Sequence, residues 1–439
     1  QRGPFHLRKR RSGLACGSSH GTKGYTSRST EAQEFLLVPP EHSDDTGRLD
    51  GAALASPIVV VADLHLESSS MSSAARALPA VLRRHPGAEL VCAGDSFGLS
   101  TESTPDAAAR RLVAILRAQP NAREAIRQRS VEGVPVTLIA GNHDAALVTD
   151  RVREALGEVL ELQDDAPLVV SPWFVRRGPI HIEHGHVYDP DNAPCHPLAR
   201  WSSACQPLGV ALTRRVLAPA EAMALNHAHE TTPLAGLRRA LQLFGPRALA
   251  VVARYFGVSM SLCWQAMSGC ECAALRQRSE QDAETFAARS GLDRSALERL
   301  LRAVPAPTHS NLSRTFRRLY LDRASAAAVL LGAGSTGLLA ASPPAWATAA
   351  AAAAYLVLSV WAEGTSRYAG VLERRLRAAA RTIAELTGAT LVVFGHTHRE
   401  DSSAGYLNPG AFGFPTGGAA RYVLVGVDRK GQCLSAHGG

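Results

Sequence analysis

The chain is 439 residues long, with 47 Lys and Arg against 39 Asp and Glu and a formal net charge of +8. That length can bury one large core and carry an insertion or second region. So small an excess of positive charge fits phosphorylated or anionic-membrane partners but is no nucleic-acid footprint. With no RNA- or DNA-binding motif present, no specific nucleic acid is expected as a partner.

Residues 1–55 are expected to form a disordered arm. They open on Arg8-Lys9-Arg10-Arg11 and continue in Gly, Ser, Thr and charge with almost no periodic apolar pattern. No long apolar stretch follows the basic start, so a secretory signal is not expected there. The eight cysteines show no paired C-x-x-C, and reduced thiols are expected. Cys270-Glu271-Cys272 is read as a chance pair, and Cys92 as a small core residue.

From residue 56 five short apolar runs read as strands: Ile58–Val61, Leu90–Cys92, Val136–Ile139, Ile180–Ile182 and Leu391–Phe394. Each is followed by a polar cluster. In order these are Asp63-Leu64-His65, Gly94-Asp95, Gly141-Asn142-His143-Asp144, His184-Gly185-His186 and Gly395-His396-Thr397-His398. Ligand sites in α/β sheets collect where strands end, and carboxylate, amide and imidazole groups gathered there can hold two divalent cations. His181, alternating with Ile180 and Ile182, is read as structural.

The ordered set D-x-H, G-D, G-N-H-D, H and G-H-x-H resembles the calcineurin-like metallophosphoesterase superfamily over about residues 57–186 and 388–428. The resemblance implies an α/β fold: a two-sheet β-sandwich flanked by helices, with the dimetal centre at one edge. It implies a first metal on Asp63, His65 and His398, a second on Asn142, His184 and His396, and Asp95 bridging both. His143 corresponds to the family's non-ligand histidine, which protonates the leaving oxygen or stabilises its charge. Asp144 is expected to orient that imidazole, with a turn or helix cap as the alternative. His186 is expected behind the ligands or facing substrate. Oxygen and imidazole donors without thiolate suit Mn first, with Fe, Zn, Co or Ni as alternatives.

The protein Ser/Thr phosphatases of this superfamily carry G-D-x-x-D-R-G, whereas this chain reads Gly94-Asp95-Ser96-Phe97-Gly98-Leu99, which speaks against a protein phosphatase. G-D-x-F and G-H-T-H look more like members that cleave lipid-linked pyrophosphates or nucleotide anhydrides. Tyr406-Leu407-Asn408-Pro409-Gly410 resembles the Y-x-N-x-G stretch that packs beneath such sites.

The expected organisation is a discontinuous catalytic domain, 56–188 and 388–439, interrupted by a helical insertion or cap, 189–387. Within the insertion Leu234, Leu237, Leu241 and Phe244, then Leu249, Val252 and Phe256, recur at helical spacing around Gly245-Pro246. Ordinary core packing is the preferred reading of that pair, and an amphipathic pair on an anionic membrane is the alternative. Asp293 can cap a helix ending near Val304-Pro305. From Ala324 to Trp361 no residue is charged, and Ser342-Pro343-Pro344 divides the run into two apolar legs. Each leg is about 27 Å long as helix, the reach of a thin hydrocarbon core. Arg314, Arg317, Arg318 and Arg323 precede it and Arg367, Arg374, Arg375 and Arg377 follow it. That is the positive-inside pattern for a membrane hairpin 324–361 with both ends in the cytoplasm. A hairpin buried in a soluble domain and a hairpin that only dips into the bilayer are the alternatives.

The sequence therefore points to a dimetal-dependent hydrolase of phosphate esters or pyrophosphates. It would act on a phosphorylated, lipid-linked substrate at the cytoplasmic membrane, with its catalytic domain in the cytoplasm. The alternatives are a phosphodiesterase or nucleotidase for a soluble cytoplasmic substrate, and a catalytically silent membrane scaffold. All seven expected ligands and His143 are present, which weighs against the scaffold.

Overall fold

A computed structural model describes residues 56–69, 72–220, 233–268, 270–364, 367–368, 370–413, 420–427 and 433–438. The expectation of a disordered arm over residues 1–55 falls wholly outside them.

The first half alternates strands and helices. Strands β1 (Ile58–Val61), β2 (Glu89–Ala93), β3 (Val136–Ile139) and β4 (Leu168–Ser171) are joined through helices α1 (Ser73–Arg84), α2 (Pro105–Ala118), α3 (Pro120–Val131) and α4 (Asp150–Leu160). Strands β5 (Phe174–Arg177) and β6 (Ile180–Glu183) follow. Then come α5 (Leu208–Leu212), α6 (Pro233–Phe244), α7 (Ala248–Ser268), α8 (Cys270–Gln281), α9 (Ala283–Ser290) and α10 (Arg294–Ala303). The helical stretch ends with α11 (Leu312–Arg318), α12 (Leu321–Ala340), α13 (Pro343–Glu363) and α14 (Val371–Thr387). Strands β7 (Leu391–Val393), β8 (Glu400–Ser403), β9 (Tyr406–Pro409), β10 (Tyr422–Val427) and β11 (Cys433–Gly438) close the chain.

The strands form two sheets, ordered β11-β10-β1-β2-β3-β4 and β5-β6-β7-β9-β8. In the first, β1 to β4 run parallel and β10 is antiparallel to β1, with Val59 opposite Leu424. In the second, β6, β7 and β9 are parallel, flanked by antiparallel β5 and β8. Ile58, Val60, Val91 and Ile139 of one sheet pack with Ile180, Ile182, Leu391 and Val393 of the other. The alternate residues Val59, Val61, Leu90 and Cys92 face α1 to α4. Both faces of the strands are thus covered, which is why β1 and β2 read as unbroken apolar runs. On the far face of the second sheet, Val392, Phe394 and Tyr406 pack with residues of α9, α10 and α14. The layers are helix, sheet, sheet, helix. Cys92 is buried in the strand core, as expected.

Asp293 caps α10, its Oδ1 accepting from the Ala296 amide at 2.7 Å, and α10 ends before Val304. The core-packing reading of α6 and α7 holds only in part: Ala240, Leu262 and Cys263 are buried and Phe244 and Val252 half-buried, but much of the apolar stripe is not covered. Leu237, Leu241, Leu249 and Phe256 are exposed, and so are Met260, Trp264 and Met267 further along α7. Helical spacing alone could not reveal this, because it does not say whether another element covers a stripe, and among the described residues none covers these side chains.

Helices α12 and α13 form an antiparallel pair turning at Ala341-Ser342. Both are long and apolar enough to cross a membrane by length and composition, and few of their residues are buried. Leu339 is 90% and Trp361 83% exposed. The legs approach closely where a Cβ on Gly337 would lie 2.9 Å from the Trp346 ring. Charged residues gather at the open end. Arg367 pairs with Asp322 at 2.5 Å, and Arg317, Arg323 and Arg367 all reach Glu363. Arg318, stacked 4.0 Å over the Tyr368 ring, pairs with Asp191 in the loop that follows β6.

Candidate metal centre

The five polar clusters lie just beyond the C-terminal ends of β1, β2 and β3 in one sheet and of β6 and β7 in the other. The loops are laced together by backbone hydrogen bonds. His65 N–H donates to Asp95 O at 2.9 Å, and Gly395 N–H donates to His184 O at 3.1 Å. Among the described residues, eight non-glycine residues have positive φ, and five of them are Asp63, His65, Asp95, His396 and His398. Such a conformation costs of order 1–3 kcal/mol per residue and persists only where the surroundings enforce it. Here it turns consecutive side chains toward one point.

Two glycines make that convergence possible. A Cβ on Gly141 would lie 2.2 Å from Oδ1 of Asp95, and one on Gly94, at φ +85°, would lie 2.3 Å from Cγ of His184. The glycines of Gly141-Asn142-His143-Asp144 and Gly94-Asp95 are thus a packing requirement: the backbone must pass within contact of the donor groups.

The donors fall into two groups, each with its atoms within 4.8 Å of one another: Asp63, His65 and His398, and Asp95, His184 and His396. In the first, Nε2 of His65 and Nε2 of His398 face each other at 3.0 Å. Oδ1 of Asp63 lies 3.2 Å from Nε2 of His398, is buried, and has no hydrogen-bond partner of good geometry among the described residues. Its other oxygen accepts from the His396 amide at 3.0 Å. Burial pushes the His65 imidazole down to about 3.

In the second group His184 donates from Nδ1–H to the Ala93 carbonyl at 3.0 Å, which turns Nε2 toward the site. Nε2 then faces Oδ1 of Asn142 at 3.2 Å and Oδ2 of Asp95 at 3.2 Å. A lone pair directed at two acceptor oxygens calls for a cation or a proton between them. Burial resists charge on this imidazole, yet the Asp95 carboxylate outweighs it, and its pKa is pushed up to about 10. Asp95, against its own burial, is held well below the usual carboxylate range by His184 and His143. The orphaned Asp63 oxygen, the opposed imidazoles and the crowded Nε2 of His184 are what a pair of divalent cations would resolve. The residues present fit such a centre.

His143 adjoins the first group, its ring centroid 5.2 Å from that of His65, and Nδ1 is 3.1 Å from Oγ of Ser100. Asp144 does not bond to it. The Asp144 carboxylate accepts instead from the amides of Gly141 at 2.7 Å, Ser96 at 2.6 Å and Phe97 at 3.2 Å, knitting the second and third loops together. The contact to the imidazole is made by Ser100, and Asp144 takes the turn-holding position. His186 is buried beside His184 with ring centroids 5.2 Å apart, and it lines a small cavity with Asn142 and Asn192. His181 is a core residue, its Nε2 3.0 Å from buried Glu183. Asn408 lies beneath the site, its Nδ2–H donating to Gly395 O at 2.7 Å.

Sequence reading passed over Asp189. Its Oδ2 lies 3.0 Å from Nε2 of His396 and 2.8 Å from Nδ2 of Asn192. Asn192 in turn accepts from Asn142 at 3.4 Å. The run Asp189-Pro190-Asp191-Asn192 directly after the His184-Gly185-His186 cluster was the available signal. Ser100 left no signal in the sequence.

The family model for calcineurin-like phosphoesterases matches residues 56–263. The match takes in the first four clusters and runs on to α7. No curated protein sequence matches the chain.

Proposed function

The chain belongs to the calcineurin-like metallophosphoesterase superfamily, and we propose that within it this protein cleaves a phosphate ester or pyrophosphate of a lipid-linked substrate at the cytoplasmic membrane surface. Membership implies metal-dependent phosphoester hydrolysis. The substrate, its setting and the role of each residue are our reading.

Asp63, His65 and His398 would hold one ion and Asn142, His184 and His396 the other, with Asp95 between them. Two such ions supply an acidified water and relieve charge on the phosphoryl oxygens. The chain's own groups do the rest. The amides beside Asp95 and Asp144 fix the loops. Asp189 orients the His396 ring. His143, positioned by Ser100, gives a proton to the departing oxygen. Burial holds the His143 imidazole below its ordinary value, which favours release of a proton to the departing oxygen. His186 faces the cavity where substrate would lie.

The observation that carries the catalytic reading is the crowding of Nε2 of His184 against two acceptor oxygens, together with the orphaned Asp63 Oδ1. The exposed apolar surfaces of α12 and α13 support the membrane setting, as do those of α6 and α7. The arginines at the open end of the hairpin support placing that end on the cytoplasmic side. Arg318 joins that end to Asp191, two residues from Asp189, which favours a catalytic centre near the bilayer surface.

The test is hydrolysis by the full chain in vesicles, supplied with Mn²⁺, of a chromogenic phosphodiester and of a lipid-linked pyrophosphate. Turnover of both is expected, with higher kcat/KM for the lipid. Equal turnover in detergent and vesicles with no activity on the lipid would make the protein a soluble-substrate phosphodiesterase. No turnover of either would remove the enzyme reading.

A further inference from the structure

A second cluster of metal-ligating side chains lies apart from the ligand groups described above. Sγ of Cys195 and Sγ of Cys205 are 2.6 Å apart, and Nε2 of His309 is 3.8 Å from the first and 3.9 Å from the second. All three donor atoms fall within 4.8 Å of one another. The cysteines come from the loop between β6 and α5, and His309 from the short turn Thr308–Ser310 between α10 and α11.

We propose that Cys195, Cys205 and His309 bind a further divalent ion of the zinc class, which clamps the 195–205 loop to the 308–310 turn beside the catalytic centre.

Two thiolates and an imidazole are the donor set that zinc prefers, in contrast to the oxygen and imidazole donors of the dimetal site. Burial drives the His309 imidazole down to about 4, so it is a neutral donor at pH 7. Burial pushes the Cys195 thiol up to about 11, so the thiol proton leaves on metal binding and not before it. Tetrahedral ligation, with Zn–S about 2.3 Å and Zn–N about 2.0 Å, sets sulfur and nitrogen about 3.6 Å apart and two sulfurs about 3.8 Å apart. The sulfur–nitrogen distances are already near that value. The sulfurs must open by about 1 Å to admit the ion. A disulfide at Cys205 is the competing state, Cys195 being a free thiol, but it gives no reason for an imidazole nearly equidistant from both sulfurs. The Arg276 guanidinium donates to the Cys195 carbonyl at 3.4 Å.

The clamp sits at the wall of the site. Cys195 and Cys205 line the same cavity as Asn142, His186 and Asn192. Thr308 donates from N–H to Pro190 O and from Oγ1–H to Asp191 Oδ1, each at 2.7 Å. The ion would therefore fix the loop that carries Asp189 and Asn192 from its far side.

Because the dimetal donors include no sulfur, a sulfur-to-cobalt charge-transfer band reports the clamp alone, whatever the fate of the catalytic reading. The full chain, purified in detergent with a reductant and loaded with Co²⁺, should show that band in the near ultraviolet. Cys195→Ser and His309→Ala should lose it together with one ion per chain, and His309→Cys should restore it. Absence of the band in the reduced wild-type chain would overturn the proposal without reliance on any variant. So would a disulfide at Cys205 in protein alkylated before reduction.

Discussion

Nε2 of His65 and Nε2 of His398 face each other at 3.0 Å, although 333 residues separate them and they follow strands of different sheets. Such a pair holds together either with one Nε2–H donating to the other ring or with a cation between two lone pairs. Oδ1 of Asp63 approaches the same point from 3.8 Å and 3.2 Å. The edge of the sandwich where β1 and β7 end therefore gathers a donor set that fits a divalent cation.

His143→Ala should keep its metals and lose turnover by roughly 10²–10⁴-fold, the usual contribution of a positioned general acid or base. The deficit should shrink on substrates with acidic leaving groups, which need no proton. Ser100→Ala should show the same leaving-group dependence with a smaller loss. Steady-state kinetics over a leaving-group series, with metal analysis, checks both. Loss of metal in His143→Ala, with all leaving groups affected alike, would make His143 a ligand.

Asp189→Asn should weaken metal binding or activity about 10–100-fold, the range seen when the partner of a ligating histidine is changed. Titration of metal into stripped protein reads it. Wild-type affinity and activity in this variant would confine Asp189 to holding its loop.

Gly141→Ala places a Cβ 2.2 Å from Oδ1 of Asp95 and 2.6 Å from its backbone nitrogen. The loop must shift, and overpacking of this kind costs about 1–3 kcal/mol. Thermal unfolding and metal content should both fall. Gly157→Ala, in α4 with open space around its Cβ, serves as the control: metal content should be unchanged and thermal unfolding the same or slightly higher.

Replacing 324–361 by a short Gly/Ser linker should turn a membrane-fractionating chain, resistant to salt and alkaline washing, into a soluble one. The variant should keep its metals and its activity on a small phosphodiester. It should lose far more activity on a bilayer-embedded substrate, since local concentration is gone. Fractionation and parallel assays check this. Intact chain in the soluble fraction at low salt would refute the membrane reading.

The five strands were legible because each is an apolar run covered on both faces, and the polar clusters because each interrupts such a run where the strand must end. Asp189 and Ser100 were not legible. Their roles depend on which loop lies next to which, and the pairing of β6 with β7 brings His396 to Asp189 across 207 residues. Asp144 was misplaced for a related reason. Adjacency to His143 in sequence suggested contact, but the turn directs its carboxylate to the amides of Gly141, Ser96 and Phe97. The apolar stripe of α6 and α7 was visible, but whether anything covers it is a tertiary fact that periodicity does not contain.

The most direct measurement is turnover of a chromogenic phosphodiester by the wild-type chain before and after stripping with a chelator, and again after Mn²⁺ is restored, beside Asp95→Ala treated alike. The account predicts activity that disappears on stripping and returns with metal, and an Asp95→Ala protein that neither holds metal at the dimetal site nor turns over. Full activity in stripped wild-type protein, or in metal-free Asp95→Ala, would contradict it.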